Sequence, residues 1–161
     1  MPRIAKGAKY VFGWSIVSPR GVIRVPPEAW AEYGLQGERR VYLMSGSVTS
    51  GGFGVMPPRL LADSVIGRAL FESEAGFKSF EVPESEPRPF KGRLCCWVST
   101  DGRGSFGLKS EAMEAYGVGP GSELLVIRSS DIAFGMAARG PLIGAARGYA
   151  GIIERFDAIG G

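Results

Sequence analysis

The sequence predicts a mainly β protein with short helices, built as two tandem β-β-α-β-β-α repeats. Three observations lead there: an internal self-match at a fixed offset, apolar residues alternating around Gly/Pro turns within each copy, and helical spacing confined to short stretches. Sliding the 161-residue chain by 83 positions lays WSIVSPRGVIRVPPEAWAEYGLQGERRVYLMSGS (Trp14 to Ser47) on WVSTDGRGSFGLKSEAMEAYGVGPGSELLVIRSS (Trp97 to Ser130) without a gap. Eight of those 34 positions are identical, among them Trp14/Trp97, Arg20/Arg103, Gly21/Gly104, Tyr33/Tyr116 and Gly34/Gly117, and eight more pairs keep apolar character. With a small slip FGVMPPRLL (Phe53 to Leu61) resembles FGMAARGPLI (Phe134 to Ile143), and Leu70-Phe71-Glu72 resembles Ile152-Ile153-Glu154. The division that follows is residues 1–81, a connector over 82–90, and residues 91–161.

Each element has a local reason. Lys9 to Ser18 is rich in aromatic and β-branched residues, Pro19-Arg20-Gly21 is a turn, and Val22 to Val25 alternates, which together predict a β-hairpin. Pro26-Pro27 opens a short helix whose first turn holds Glu28, and Gly34 closes it, as Gly117 does in the second copy. Strands follow at Val41 to Ser45 and near Gly52 to Met56, and in the second copy at Glu123 to Ser129 and Ile132 to Ala137. Leu60 to Phe71 has close to helical apolar spacing, and Leu142 to Phe156 follows it in outline. VPESEPRPF (Val82 to Phe90) reads as a stiff extended connector because of its three prolines.

Composition removes several functional classes. Hydrophobic residues are 45% and charged residues 22% of the chain, which suits a folded core without staples. There is no histidine, and the only cysteines are the adjacent Cys95 and Cys96, so zinc, haem and Ser-His-Asp chemistry lack their usual residues. Adjacent strand residues point to opposite faces, which makes the two thiols poor partners for each other and suits a reducing, cytoplasmic compartment. The Tyr10 to Val17 and Val41 to Pro58 stretches are too short or too interrupted for a secretory or membrane segment. No cofactor and no metal is expected.

The residues GVIRVPPEAWAEYGLQGERRVYLM and GRGSFGLKSEAMEAYGVGPGSELLVI carry a resemblance. The order of hairpin, short helix ending in Gly-hydrophobic, polar turn, strand, turn and strand resembles the AbrB/SpoVT swapped-hairpin domain, over about 45 residues of each copy. The resemblance implies that two units interleave into a pseudo-dimeric barrel, as in the MraZ branch, where one chain supplies both halves. It also implies transcription regulation, with the first hairpin and short helix held against double-stranded DNA. On the helix, where basic members carry arginines, this chain has Ala31-Glu32 and Glu114-Ala115. The basic face then consists of Arg3, Lys6, Lys9, Arg20, Arg24, Arg103 and Lys109. The net charge of +3 divides as +4 over residues 1–80 (10 basic, 6 acidic) and −1 over 81–161 (9 basic, 10 acidic).

Other motifs read as structural. GRGSFG (Gly102 to Gly107) has dinucleotide-loop spacing, but Phe106 and Leu108 alternate as a strand and the helix begins only near Ser110. SGSVTSGGFG (Ser45 to Gly54) lacks the Lys-Ser/Thr ending of a P-loop and reads as a bend. Glu28 and Glu111 read as helix-start dipole partners, with a carboxylate pair across the pseudo-twofold as the other reading. Trp14, Trp97, Tyr33 and Tyr116 recur in phase with the core. No nucleophile-base constellation is visible, so the sequence reads as a non-enzymatic DNA-binding regulator expected to form a homo-oligomer. The alternative is a partner-binding module whose apolar helices make the contacts.

Overall fold

Ten strands and six short helices alternate along residues 10–158, the part of the chain that the structure, a computed structural model, describes. The first half contributes β1 (Val11–Ile16), β2 (Val22–Arg24), α1 (Pro27–Glu32), β3 (Arg40–Ser45), β4 (Phe53–Met56), α2 (Pro58–Ala62), α3 (Val65–Ser73) and α4 (Ala75–Lys78). The second contributes β5 (Arg88–Phe90), β6 (Arg93–Ser99), β7 (Ser105–Gly107), α5 (Ser110–Tyr116), β8 (Glu123–Arg128), β9 (Phe134–Ala137), α6 (Pro141–Arg147) and β10 (Arg155–Asp157). The result is a mixed α/β protein dominated by one eight-stranded sheet in the order β10-β1-β8-β9-β4-β3-β6-β5, with β2 and β7 forming a separate two-stranded ribbon.

The pairings run between the halves. Antiparallel β1 puts Trp14 opposite Leu125 of β8, and 83 residues on, β6 puts Trp97 opposite Tyr42 of β3. β4 pairs with β9, Gly54 opposite Gly135, and β2 pairs with β7, Ile23 opposite Phe106. The expected hairpin therefore keeps its turn but not its ladder. Ser18 N–H donates to Val22 O at 3.0 Å, after which β1 enters the large sheet and β2 the ribbon.

The sheet does not close into the expected barrel. Each place where closure would occur is taken by a strand from outside the matched repeat: β10 lies parallel to β1, and β5 antiparallel to β6. The sheet's inner face is covered instead by the ribbon and the two repeat helices. Ile23, Phe106, Ala29, Trp30 and Ala112 pack there on Leu43, Val55, Val126 and Phe134 as one buried cluster. Helices pack on the outer face. Leu61, Leu70 and Phe77 are buried against Tyr42, Met44 and Trp97, each contributing about 1.5–3 kcal/mol, while Ile143 and Ala146 of α6 cover Val11, Trp14 and Leu125.

Two further expectations need correction. The helical spacing over Leu60 to Phe71 is divided between α2 and α3, because Ser64 caps the second helix by accepting from Gly67 N–H at 2.9 Å. The stretch Leu142 to Phe156 is helical only to Arg147. Beyond Gly148 the chain extends into β10, so Ile152-Ile153-Glu154 is non-helical where Leu70-Phe71-Glu72 lies in α3. The proline-rich connector docks on the sheet: Val82, Ser85 and Phe90 are buried, and Val82 O accepts the Trp97 indole N–H at 2.6 Å.

Cys95 faces the outer cluster and Cys96 the inner one, the opposite-face placement that adjacency on a strand requires. Burial pushes their thiols up to about 12 and about 11, so both remain protonated and unreactive at neutral pH. Tyr116 sits in the same core with its hydroxyl 3.2 Å from Cys96 Sγ, and burial, then the neighbouring thiol, raises its pKa.

Gly52 marks the tightest approach between the halves. Its φ is +62°, and a Cβ there would lie 2.0 Å from Met136 O; at Gly37, with φ +79°, a Cβ would meet nothing within 4 Å. Gly37→Ala is expected to cost about 1 kcal/mol from backbone strain alone. Gly52→Ala adds steric overlap between strands and is expected to cost at least about 2 kcal/mol more, measured by urea unfolding.

Candidate nucleic-acid interface

The ribbon of β2 and β7 ends in two turns built alike. In the first, Ser18 Oγ accepts from Val22 N–H at 2.9 Å and from Arg20 N–H at 3.3 Å. In the second, Asp101, the residue 83 positions on, accepts from Arg103 N–H at 2.8 Å and Ser105 N–H at 3.0 Å through Oδ1. Both are side-chain-mimicked turns, and both place an exposed arginine at the tip, Arg20 and Arg103. Glycine is required beside each. Gly21 has φ +79° and a Cβ there would lie 2.6 Å from Leu108 O, while Gly104 has φ +117°.

The cations fall into two groups at opposite ends of the ribbon. Arg24, opposite Ser105, and Arg103 line one groove of about 640 Å³ together with Asp101, Ser99 and Thr100. Arg24 also stacks over the Phe156 ring at 5.6 Å. At the other end the bond from Leu108 N–H to Gly21 O (2.9 Å) sets the Arg20 turn beside exposed Lys109, whose own N–H donates to Ser85 Oγ at 3.0 Å. Arg3, Lys6 and Lys9 lie outside the described residues.

Arg39 joins the second turn without having been singled out in the sequence. Its Nη1 donates to Asp101 O at 3.3 Å, and its Nε lies 3.3 Å from where a Cβ on Gly102 would stand. The sequence hides this role because Arg39 reads as part of a polar turn and its neighbour is 62 residues away; the missing side chain at Gly102 is the signal, legible only once the turn is placed.

Ion pairing takes up four of the arginines and leaves these cations free, as it leaves Arg40, Arg59, Arg68, Lys78, Lys91, Arg93 and Arg139 among the described residues. Among the described residues Arg88, Arg128, Arg147 and Arg155 form ion pairs, with Glu74 and Glu86, Glu32, and Glu123 as partners. Arg20, Arg24, Arg39, Arg103 and Lys109 form none among those residues. Glu32 on α1, the acid where a basic helix residue is expected, is held by Arg128 through Nε and Nη2 at 2.6 and 2.5 Å, and that bonding keeps its carboxyl below the usual range against a small opposing effect of burial. Glu28 accepts the Tyr10 hydroxyl at 2.5 Å from the first turn of α1. Glu111 stands in the first turn of α5, and Glu114 is exposed on the same helix.

Asp101 is the acid inside the groove. Burial alone would raise its pKa, but the N–H groups of Ser105, Arg103 and Gly104, with the Arg103 charge, outweigh it and lower the carboxyl. Its oxygen is thereby committed to the turn. The dinucleotide-like glycines around it serve the same turn, since β7 follows over Ser105–Gly107 and α5 starts only at Ser110. Among the described residues no group of three or more His, Cys, Asp or Glu is placed to hold a metal ion, and no helix is long and apolar enough to cross a membrane.

No family model, no curated protein and no solved structure matches the chain.

Two outcomes check this geometry. Asp101→Asn, which keeps the accepting oxygen, is expected to leave stability within about 0.5 kcal/mol, whereas Asp101→Ala orphans the turn's N–H groups and costs about 1 kcal/mol in urea unfolding. The Glu32 carboxyl is depressed on folding, so its ion-pair contribution is full above the ordinary Glu pKa and lost as pH falls through the lower folded value. Glu32→Gln should therefore reduce stability at pH 7 by under about 1 kcal/mol for an exposed pair and lessen the difference between pH 7 and acid.

Proposed function

We propose that the chain is a DNA-binding transcription regulator of the AbrB/SpoVT type, with the two ribbon turns contacting duplex phosphates. The observation that carries the reading is the pair Arg20 and Arg103, at the tips of turns held by equivalent residues Ser18 and Asp101, with no carboxylate partner among the described residues. The interleaved pairing of β1 with β8 and β6 with β3 supports the family likeness, since each half completes the other's sheet. A two-stranded ribbon is also a shape that the major groove admits.

Arg24, Arg39 and Lys109 extend the positive face on either side of the tips. Contacts of this kind position the protein on the backbone without reading sequence, and they release counterions, so affinity falls as salt rises. Of the helix acids, Glu32 is neutralised by Arg128, while Glu28 accepts only the Tyr10 hydroxyl and Glu111 and Glu114 form no ion pair among the described residues. A regulator with these features needs no catalytic group and no cofactor.

The alternative, a partner-binding module, draws on Val65 and Ile66, which stand 78% and 37% exposed on α3. It separates from the first reading by salt. Fluorescence anisotropy with a random-sequence duplex across a salt series is expected to show affinity falling with salt, and Arg20→Ala with Arg103→Ala is expected to lower the slope by about two. An unchanged slope refutes the assignment of these two residues, and absence of binding near 50 mM salt refutes the function.

A further inference from the structure

The outer face of the sheet carries a groove of about 480 Å³ that the ribbon reading does not use. Its floor follows from strand register. One row across β8, β9, β4 and β3 reads Ile127, Gly135, Gly54, Met44, so the two central strands present no side chain where all their inward neighbours, Phe53, Val55, Phe134 and Met136, are large. The glycine pair divides the outer core in two. Met44 and Met56 belong to the cluster under α2 and α3, Ile127 and Ala137 to the cluster under α6. Ile66 of α3 and Leu142 of α6 stand on the groove's lining.

Gly54 is not demanded by packing. A Cβ there would meet its nearest atoms at 3.7 Å or more, ordinary contact distance, and Gly54 has no positive φ, whereas a Cβ on Gly135 would stand 3.2 Å from Ile127 Cγ1 and need that side chain to shift. A side chain could fill the space and none does. On β4 the lining residues run from Phe53 to Met56, about 10 Å at about 3.3 Å per residue.

The groove has one charged end. Arg93 is the only charged residue lining it, and no carboxylate does. Arg93 Nη1 donates to Ser45 O at 3.0 Å, which holds the guanidinium at the rim, and Arg93 forms no ion pair among the described residues. Ser45, Ser47 and Ser50 border the same end. An apolar trough with a single fixed cation at its mouth is complementary to an amphiphile with an apolar chain and an anionic head. Flexible methionines along the floor suit a chain without fixed shape.

We infer that the Gly54–Gly135 trough binds a medium-length acyl carboxylate, its chain lying between Ile66 and Leu142 and its carboxylate on Arg93. The site is separate from the ribbon and does not depend on DNA binding. Calorimetric titration of the full chain with decanoate tests it. Saturable one-site binding is expected, with Gly54→Val lowering affinity at least about tenfold and Arg93→Gln lowering it about tenfold for decanoate but not for decanol. Ile66→Glu, on an exposed helix surface, should weaken decanoate binding similarly and keeps the test open should Gly54→Val fail to fold. No saturable binding up to about 1 mM, or undiminished binding by the folded variants, overturns the proposal. Equal decanol affinity with no effect of Arg93→Gln overturns the anionic head. Sedimentation equilibrium showing a dimer that Ile66→Glu dissociates, without decanoate uptake, assigns the trough to a second copy instead.

Discussion

The exchange of strands between the two halves is the constraint on which the rest of the structure depends. β1 lies on β8, β6 on β3, β2 on β7 and β4 on β9, so each half alone keeps only its short pairings, β3 with β4 in the first and β5 with β6 and β8 with β9 in the second. The inner core shows the consequence. Phe12, Leu43 and Val55 from one half are buried among Cys96, Val126 and Phe134 from the other, and removing either half would expose the remaining set to water. Strand partners 51 to 116 positions apart also mean that loop closure precedes most of the stabilising burial, which places the chain among slowly folding topologies.

That same exchange explains which features were legible in the sequence. The turns at Arg20 and Arg103, the helix ends at Gly34 and Gly117 and the burial of Trp14, Trp97, Tyr33 and Tyr116 are all local or periodic signals, and each appears in the structure where the pattern places it. Pairing is not local. Alternation in Val22 to Val25 says that Ile23 and Val25 share a face but not that β2 should lie on β7 rather than β1. The edge strands were hidden for a related reason: β5 and β10 are three residues each, too short to show a period, and β10 lies in a stretch whose apolar spacing looked helical. Of the site, the two tips were visible and Arg39 was not.

The outer surfaces of the two halves are unequal. The first copy continues into three helices and buries Leu61, Leu70 and Phe77 over Tyr42 and Trp97; the second has one helix and a loop before β10. Glu123 compensates in part by pairing with both Arg147 and Arg155, which ties α6 and β10 to the start of β8. Between these unequal covers the paired glycines Gly54 and Gly135 remain unfilled.

The distribution of charge follows the same division between what the fold consumes and what it leaves free. Arg128 lies over the Tyr10 ring at 4.4 Å and bonds Glu32, and Arg147 lies 5.2 Å from the Trp14 ring while pairing with Glu123, so these cations are spent on holding elements together. Arg24 stacks over the Phe156 ring and Arg39 bonds Asp101 O, but the tip cations Arg20 and Arg103 have no such duty among the described residues. Their turns are held instead by Ser18 and Asp101 acting on backbone N–H groups, so the arginine side chains at the tips can face an external anion without the turn losing its shape. A modest net charge of +3 is compatible with phosphate binding on these terms, because what counts is the local excess left after internal pairing, not the sum over the chain.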